Sequence, residues 1–172
     1  MVPLQFGLKN KMKSPNLIQR IFHRFVMLKP VTAFFAPRTH LVDNFVLRVT
    51  KGKHTLSEIL GWNIVQVVTT GAKSGERRVS ILIAVMNNEK IALIGSNFGR
   101  QHNPGWYYNL KKNPECEVRL NGKWGTYLAR ETEGEERKSY WKQAVALYAG
   151  YEKYEQRASH RHIPVMLLEP EK

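Results

Sequence analysis

From residue 62 onward one pattern governs the chain. Short runs rich in β-branched residues alternate with tight polar turns. "NIVQVVTT" and "VSILIAVM" bracket the turn "GAKSGERR"; "NNEK" separates the second run from "IALIGS". "CEVRL" and "WGTYLARE" flank "NGK", and Asn-Gly is the strongest short hairpin signal. "IPVMLLEP" closes the series. β-branched runs bounded by Gly, Asn and Asp read as strands, and turns this short join only antiparallel neighbours. About six such strands with helices inserted describe an antiparallel α+β domain that closes as a small barrel.

The inserted helices carry their own signals. In "HNPGWYYNLKKNP", Asn103 is suited to N-cap and Pro104 to the first helical position. Pro114 pushes Asn113 out of helical geometry, leaving a helix of about nine residues. Thr132 and Glu135 have capping-box spacing ahead of Tyr140, Trp141, Ala144, Val145 and Tyr148 at helical intervals. Gly150 is placed to end or bend that helix.

The first 60 residues differ in kind. Net charge is +13, and residues 1–53 hold ten basic side chains against one acid, Asp43. Residues 14–28 read as a basic amphipathic helix, with Ile18, Ile21, Phe22, Phe25 and Val26 on one side; a second helix is expected near 40–50. Two units follow: a basic helical extension over 1–60 and a barrel domain over 61–172. The first helix either packs on the barrel or lies on an anionic membrane surface. No apolar run reaches the roughly 20 residues that span a bilayer, and no secretory signal is evident. The single cysteine, Cys116, excludes an intrachain disulfide and makes a reducing cytosol the default compartment, with its membrane face as a further station. Nucleic-acid binding fits poorly, because the charge excess precedes residue 54 and no base-reading motif is visible.

What the "GAKSGERR" turn holds is the functional question. It is not a nucleotide-binding P-loop, because Lys73 precedes Ser74 inside a shorter glycine interval and a strand follows. Glycines still let backbone N–H groups approach an anion. Thr69, Thr70 and Ser74 add hydroxyls, and Lys73, Arg77 and Arg78 add charge. Strand alternation puts Arg77 and Arg78 on opposite faces, so only one of them faces a ligand. The competing reading is a solvated hairpin turn with a basic edge. "GSNFGRQHNPGW" offers a second anion-friendly feature, a glycine loop running into a helix N-terminus, with Trp106 on its first turn as ring platform or core. Tyr148, Tyr151 and Tyr154, spaced by three, either line a pocket or cover the barrel. His160 and His162 lack a third ligand, so no metal site is expected; with Arg157 and Arg161 they could form a basic rim.

"TTGAKSG" with "RR", "GSNFG", "HNPGWYYNLKKNP", "ALYAGYEKY" and "IPVMLLEP" occur in this order. Together they resemble the deazaflavin (coenzyme F420)-dependent nitroreductases, also called quinone reductases, over about residues 62–170. The resemblance implies a split β-barrel related to flavin-binding reductases. It implies hydride transfer from reduced F420 to a small-molecule acceptor: a quinone, a nitro-aromatic or an activated alkene. It places Thr70, Gly71, Lys73, Ser74, Gly75 and Arg78 at the cofactor's phosphate and acidic tail. Ser96 and Asn97 would lie by the deazaflavin and Trp106 near it, while Tyr148, Tyr151, Tyr154 and Ser96 would serve the acceptor. Ala72 stands where many members have Arg, Asn97 where Lys is common, and Ile81 where Pro is often found. The alternatives are an FMN-dependent split-barrel reductase and a non-catalytic carrier of an apolar or pigment ligand. Oligomeric state is not legible from the sequence.

Overall fold

The computed structural model describes residues 62–120 and 122–171. The expected helices at 14–28 and 40–50, and the proposed 1–60 extension, lie outside the described residues. The elements run β1 (Asn63–Thr70), β2 (Arg77–Asn87), β3 (Lys90–Ile94), α1 (Gly105–Lys112), β4 (Glu115–Leu120), β5 (Lys123–Glu131), α2 (Gly134–Leu147), α3 (Gly150–Arg157) and β6 (Val165–Pro170). The strands close a barrel in the order β1-β2-β3-β6-β5-β4, with every neighbouring pair antiparallel. Closure comes from β4 on β1, where Gln66 to Thr69 pair with Arg119 to Cys116. Each expected strand is present.

The period of two along the strands sorts side chains into two cores. Val65, Val67, Ala84, Met86, Ile91, Leu93, Val118, Met166 and Leu168 fill the barrel. Trp106 and Leu110 of α1 join this inner core, so the helix packs as a plug. The intervening Val85, Ala92, Ile94, Val165 and Leu167 face outward and are covered by Tyr140, Ala144 and Leu147 of α2 and by the 148–154 tyrosines. β3 and β6 are thus apolar on both faces, which is why "IALI" and "VMLL" read as unbroken apolar runs. No helix among the described residues is long and apolar enough to cross a membrane.

Three helix-end expectations are corrected. α1 begins at Gly105, with Pro104 in extended geometry as its N-cap. The Asn103 side chain is instead an acceptor for Arg161, at 2.5 Å. Thr132 does not cap α2; Glu133 occupies that position. Thr132 is buried beside β6, where its hydroxyl and its N–H both donate to Val165 O, at 3.1 and 2.9 Å. Gly150 does not end α2, which stops at Leu147 with Tyr148 extended; Gly150 opens α3. The reason is space rather than backbone freedom. A Cβ at Gly150 would stand 2.3 Å from the Tyr148 ring.

Across β3, β5, β6 and α2 runs a surface charge network. Glu169 pairs with Lys90 and with Arg130, and Arg130 grips Glu136 through two bonds of 2.7 and 2.8 Å. Hydrogen bonds from Lys90 and Arg130 hold the Glu169 carboxyl below the usual range. These groups are partly exposed and screened by solvent, so stability rests mainly on the cores. Leu168, fully buried, tests this: Leu168→Ala is expected to cost about 2–5 kcal/mol in urea denaturation.

Candidate functional site

A groove of about 740 Å³ opens between the β1–β2 loop and α1. It is lined by Gly71, Lys73, Ser74 and Arg78 on one side and by Gly105, Trp106, Tyr108 and Asn109 on the other. β1 and β2 deliver this loop with a fixed facing. Thr69 pairs with Arg78 and Thr70 with Arg77, so each pair shares a face. Thr69 and Arg78 lie on the groove side. Arg77 lies opposite and pairs with Glu117 at 2.5 Å. Alternation therefore selected one arginine for the groove, and it is Arg78.

The backbone donors of the loop are mostly committed. Gly71 N–H donates to Glu76 O at 2.8 Å, and Gly75 N–H to Gly71 O at 2.9 Å. Ala72 N–H donates to Asn109 Oδ1 at 2.9 Å, and Glu76 N–H to Ser74 Oγ at 3.3 Å. Among the described residues, the N–H groups of Lys73 and Ser74 have no protein acceptor. Two free amides beside an exposed lysine and an arginine form an anion-receptive lip. Arg78 currently bonds Glu76 at 2.6 Å, both exposed, a surface pair of little strength that an anionic ligand can displace.

Asn109 is the residue that sequence reasoning missed. Its Oδ1 holds the Ala72 N–H, and its Nδ2 donates to Thr69 Oγ1 at 2.9 Å. Lys112 Nζ donates to Ala72 O at 2.7 Å, and Asn113 Nδ2 to Thr70 O at 3.3 Å. One face of α1 thus clamps the loop. The i, i+3, i+4 spacing of Asn109, Lys112 and Asn113 was the available signal, but nothing in the chain said what that face would meet.

Other expected site residues fall elsewhere. The Thr70 side chain shares the Arg77 face, and neither Thr70 nor Gly75 lines the groove. Trp106 is 7% exposed, so it is a core residue of which only a small part reaches the groove. Ser96, Asn97 and the tyrosines gather in a second group. Tyr148 and Tyr154 hydroxyls meet at 3.1 Å, and the Tyr151 ring stands edge-on to Tyr148 at 5.4 Å. Phe98 stacks edge-on against Tyr154 at 5.9 Å, which joins the Ser96 loop to this cluster. Burial raises the pKa of all three phenols, so they stay protonated donors further into alkaline pH than a free tyrosine does. Tyr108 lines the groove, and Arg161 of the second group bonds Ser96 O at 2.8 Å.

Cys116 is buried, and desolvation pushes its thiol up to about 12, which makes it unreactive. Among the described residues no group of His, Cys, Asp and Glu is placed to hold a metal. His160 hydrogen-bonds Gln101 O at 3.3 Å.

The groove of this antiparallel barrel sets two cations and backbone amides beside aromatic side chains, a chemistry suited to an anion that carries a ring. The F420H(2)-dependent quinone reductase family matches residues 42–170, and the chain belongs to that family. It is an oxidoreductase whose cofactor is F420 and whose acceptor is a quinone. Rv3178 of Mycobacterium tuberculosis, provisionally named for this activity, is 30% identical over 98 residues, covering 57% of this chain and 82% of the relative. The F420H(2)-dependent quinone reductase Rv1261c of the same species is 36% identical over 55 residues, 32% of this chain and 37% of its own. The solved F420-H2 dependent reductase FDR-A is 42% identical with a TM-score of 0.58, covering 62% of this chain and 94% of that one. A Mycobacterium smegmatis heme binding protein, 14% identical with a TM-score of 0.51, shares the fold alone. The match supports F420 and lends no support to FMN.

The clamp makes a direct test. Asn109→Ala leaves the Ala72 N–H without its acceptor. Calorimetric titration is expected to show F420 binding weakened by about 1–2 kcal/mol, with the barrel still folded by circular dichroism.

Proposed function

We propose that Lys73, Ser74 and Arg78 hold the phosphate and acidic tail of F420 while Ser96, Asn97 and the tyrosine cluster border its ring and the acceptor. The observation that carries this reading is the pair of amides at Lys73 and Ser74 that have no acceptor among the described residues, set in the same groove as two cations. Those donors and charges suit a polyanionic tail, and the aromatic wall suits a flat ring. When bound, reduced F420 supplies the hydride.

The chain's residues do the rest. The Lys73 and Ser74 amides and the Arg78 guanidinium fix the anionic end, so the ring's position is set by attachment rather than by diffusion. Asn109 keeps the loop in the geometry that aims those amides. The Tyr148–Tyr154 pair, which burial keeps protonated to more alkaline pH than a free phenol, donates a hydrogen bond to the oxygen on which charge develops as the acceptor is reduced. A nitro-aromatic or activated alkene presents comparable developing charge, so the same donors extend the acceptor range. The basic segment at 14–28, expected from its sequence to be amphipathic, would bring this site to the anionic membrane surface where quinones dissolve.

Side-by-side calorimetry with F420 and FMN tests the assignment. Lys73→Gln and Arg78→Gln are each expected to weaken F420 binding by about 1–3 kcal/mol, less at high salt. Unchanged F420 affinity in both variants, or a preference for FMN, would reject it. For the membrane role, liposome flotation of a chain lacking residues 1–30 should show lost binding; retained binding would reject it.

A further inference from the structure

The loop after β3 adopts a backbone that two of its residues disfavour. Asn97 (φ 46°), Phe98 (φ 57°) and Gly99 (φ 76°) lie consecutively in the left-handed region. Glycine enters it freely, whereas other residues do so at a cost that the surroundings must offset. No side chain fits at Gly99 either, where a Cβ would stand 2.7 Å from Arg157 Cβ and 3.0 Å from Tyr154 O.

One side chain supplies most of the restraint. Arg161 Nη2 donates to Ser96 O at 2.8 Å, and Nε to Arg100 O at 3.0 Å. Nη1 donates to Asn103 Oδ1 at 2.5 Å, with longer contacts to Gly95 O at 3.4 Å and to His162 O at 3.2 Å. Every acceptor is a neutral oxygen, and among the described residues Arg161 has no carboxylate partner. Its fork therefore spans the loop from residue 95 to residue 103. Arg161 is itself anchored, since its N–H donates to Ala158 O at 2.9 Å just past α3. Within the loop, Asn97 Nδ2 adds a bond to His102 O at 2.8 Å.

We propose that Arg161 is a positioning residue for the ring end of the cofactor site: its guanidinium fork holds the left-handed Asn97–Gly99 turn and thereby sets Ser96 and Asn97. The proposal rests on the reading that these two residues border the F420 ring. Ser96 is itself buried, so its place follows from the turn rather than from contacts with solvent. Lysine carries the same charge but presents a single ammonium, which cannot reproduce a planar fork reaching Ser96 O, Arg100 O and Asn103 Oδ1 together.

The test uses the full chain with Arg161→Lys, Arg161→Met and Ser96→Ala. Three readouts are taken: amide hydrogen exchange without cofactor, F420 affinity by calorimetry, and kcat with a soluble quinone. Gly99 and Arg100 N–H, which bond Ser96 O and Asn97 O at 2.8 and 3.0 Å, report the turn. Both Arg161 variants are expected to speed exchange at these two amides while Val67 and Leu93 keep wild-type protection. They are expected to lower kcat roughly 10- to 100-fold, with Lys giving no rescue. Should Arg161→Met not fold, Asn103→Ala removes one acceptor and is expected to act in the same direction, more weakly. Wild-type exchange and kcat in Arg161→Lys would overturn the proposal. So would faster exchange with unchanged kcat while Ser96→Ala lowers it, since the turn would then be structural only. If neither Ser96→Ala nor the Arg161 variants alter kcat or F420 affinity, the placement of the ring by Ser96 fails, and this proposal with it.

Discussion

The seating of α1 in the inner core is the contact on which the groove depends. Trp106 and Leu110 bury into the same cluster as Val65, Val67, Leu93 and Leu168. A short helix of eight residues has little stability of its own, so its position comes from that apolar face. Once the helix is fixed, its other face is fixed too. Asn109 and Lys112, with Asn113 just beyond the helix end, meet the β1–β2 loop and bind it at Thr69, Thr70 and Ala72. Hydrophobic burial on one side of α1 is thereby converted into polar precision on the other.

The loop illustrates how a binding surface is made by elimination. Four of its amides are consumed by internal bonds and by Asn109. Among the described residues, the two left without an acceptor belong to Lys73 and Ser74. Charge from Lys73 and Arg78 then falls where unpaired donors already point. Three side chains of a neighbouring segment grip this turn although two of the three contacts are solvent-exposed. That grip fixes the shape in which the loop presents the Lys73 and Ser74 amides.

The far end of the surface is organised differently. Three buried tyrosines, Phe98 and the Ser96 loop pack against each other on the outside of the barrel. Tyr148 has left the helix that holds Tyr140 and Ala144, and its ring covers Gly150. The expected spacing of three therefore brings the tyrosines together across a helix break rather than along one helix. Arg161 ties the connection before β6 to the loop after β3, two segments far apart in the chain.

Local chemistry determined the strands, their antiparallel joins and the α+β class, because alternation and turn residues act over a few positions. It also determined that Arg77 and Arg78 oppose each other, since a strand's period is two. Whether Thr132 would cap a helix or bond β6 depended on its burial, and whether Asn103 would cap α1 or receive Arg161 depended on what stood nearby. The same holds for Asn109 and Arg161, whose polar groups found partners 37 and 65 residues away. A side chain with several donors or acceptors has no preferred partner in an isolated sequence. Only the packed barrel decides which one it meets, by leaving a single set of unsatisfied groups within reach.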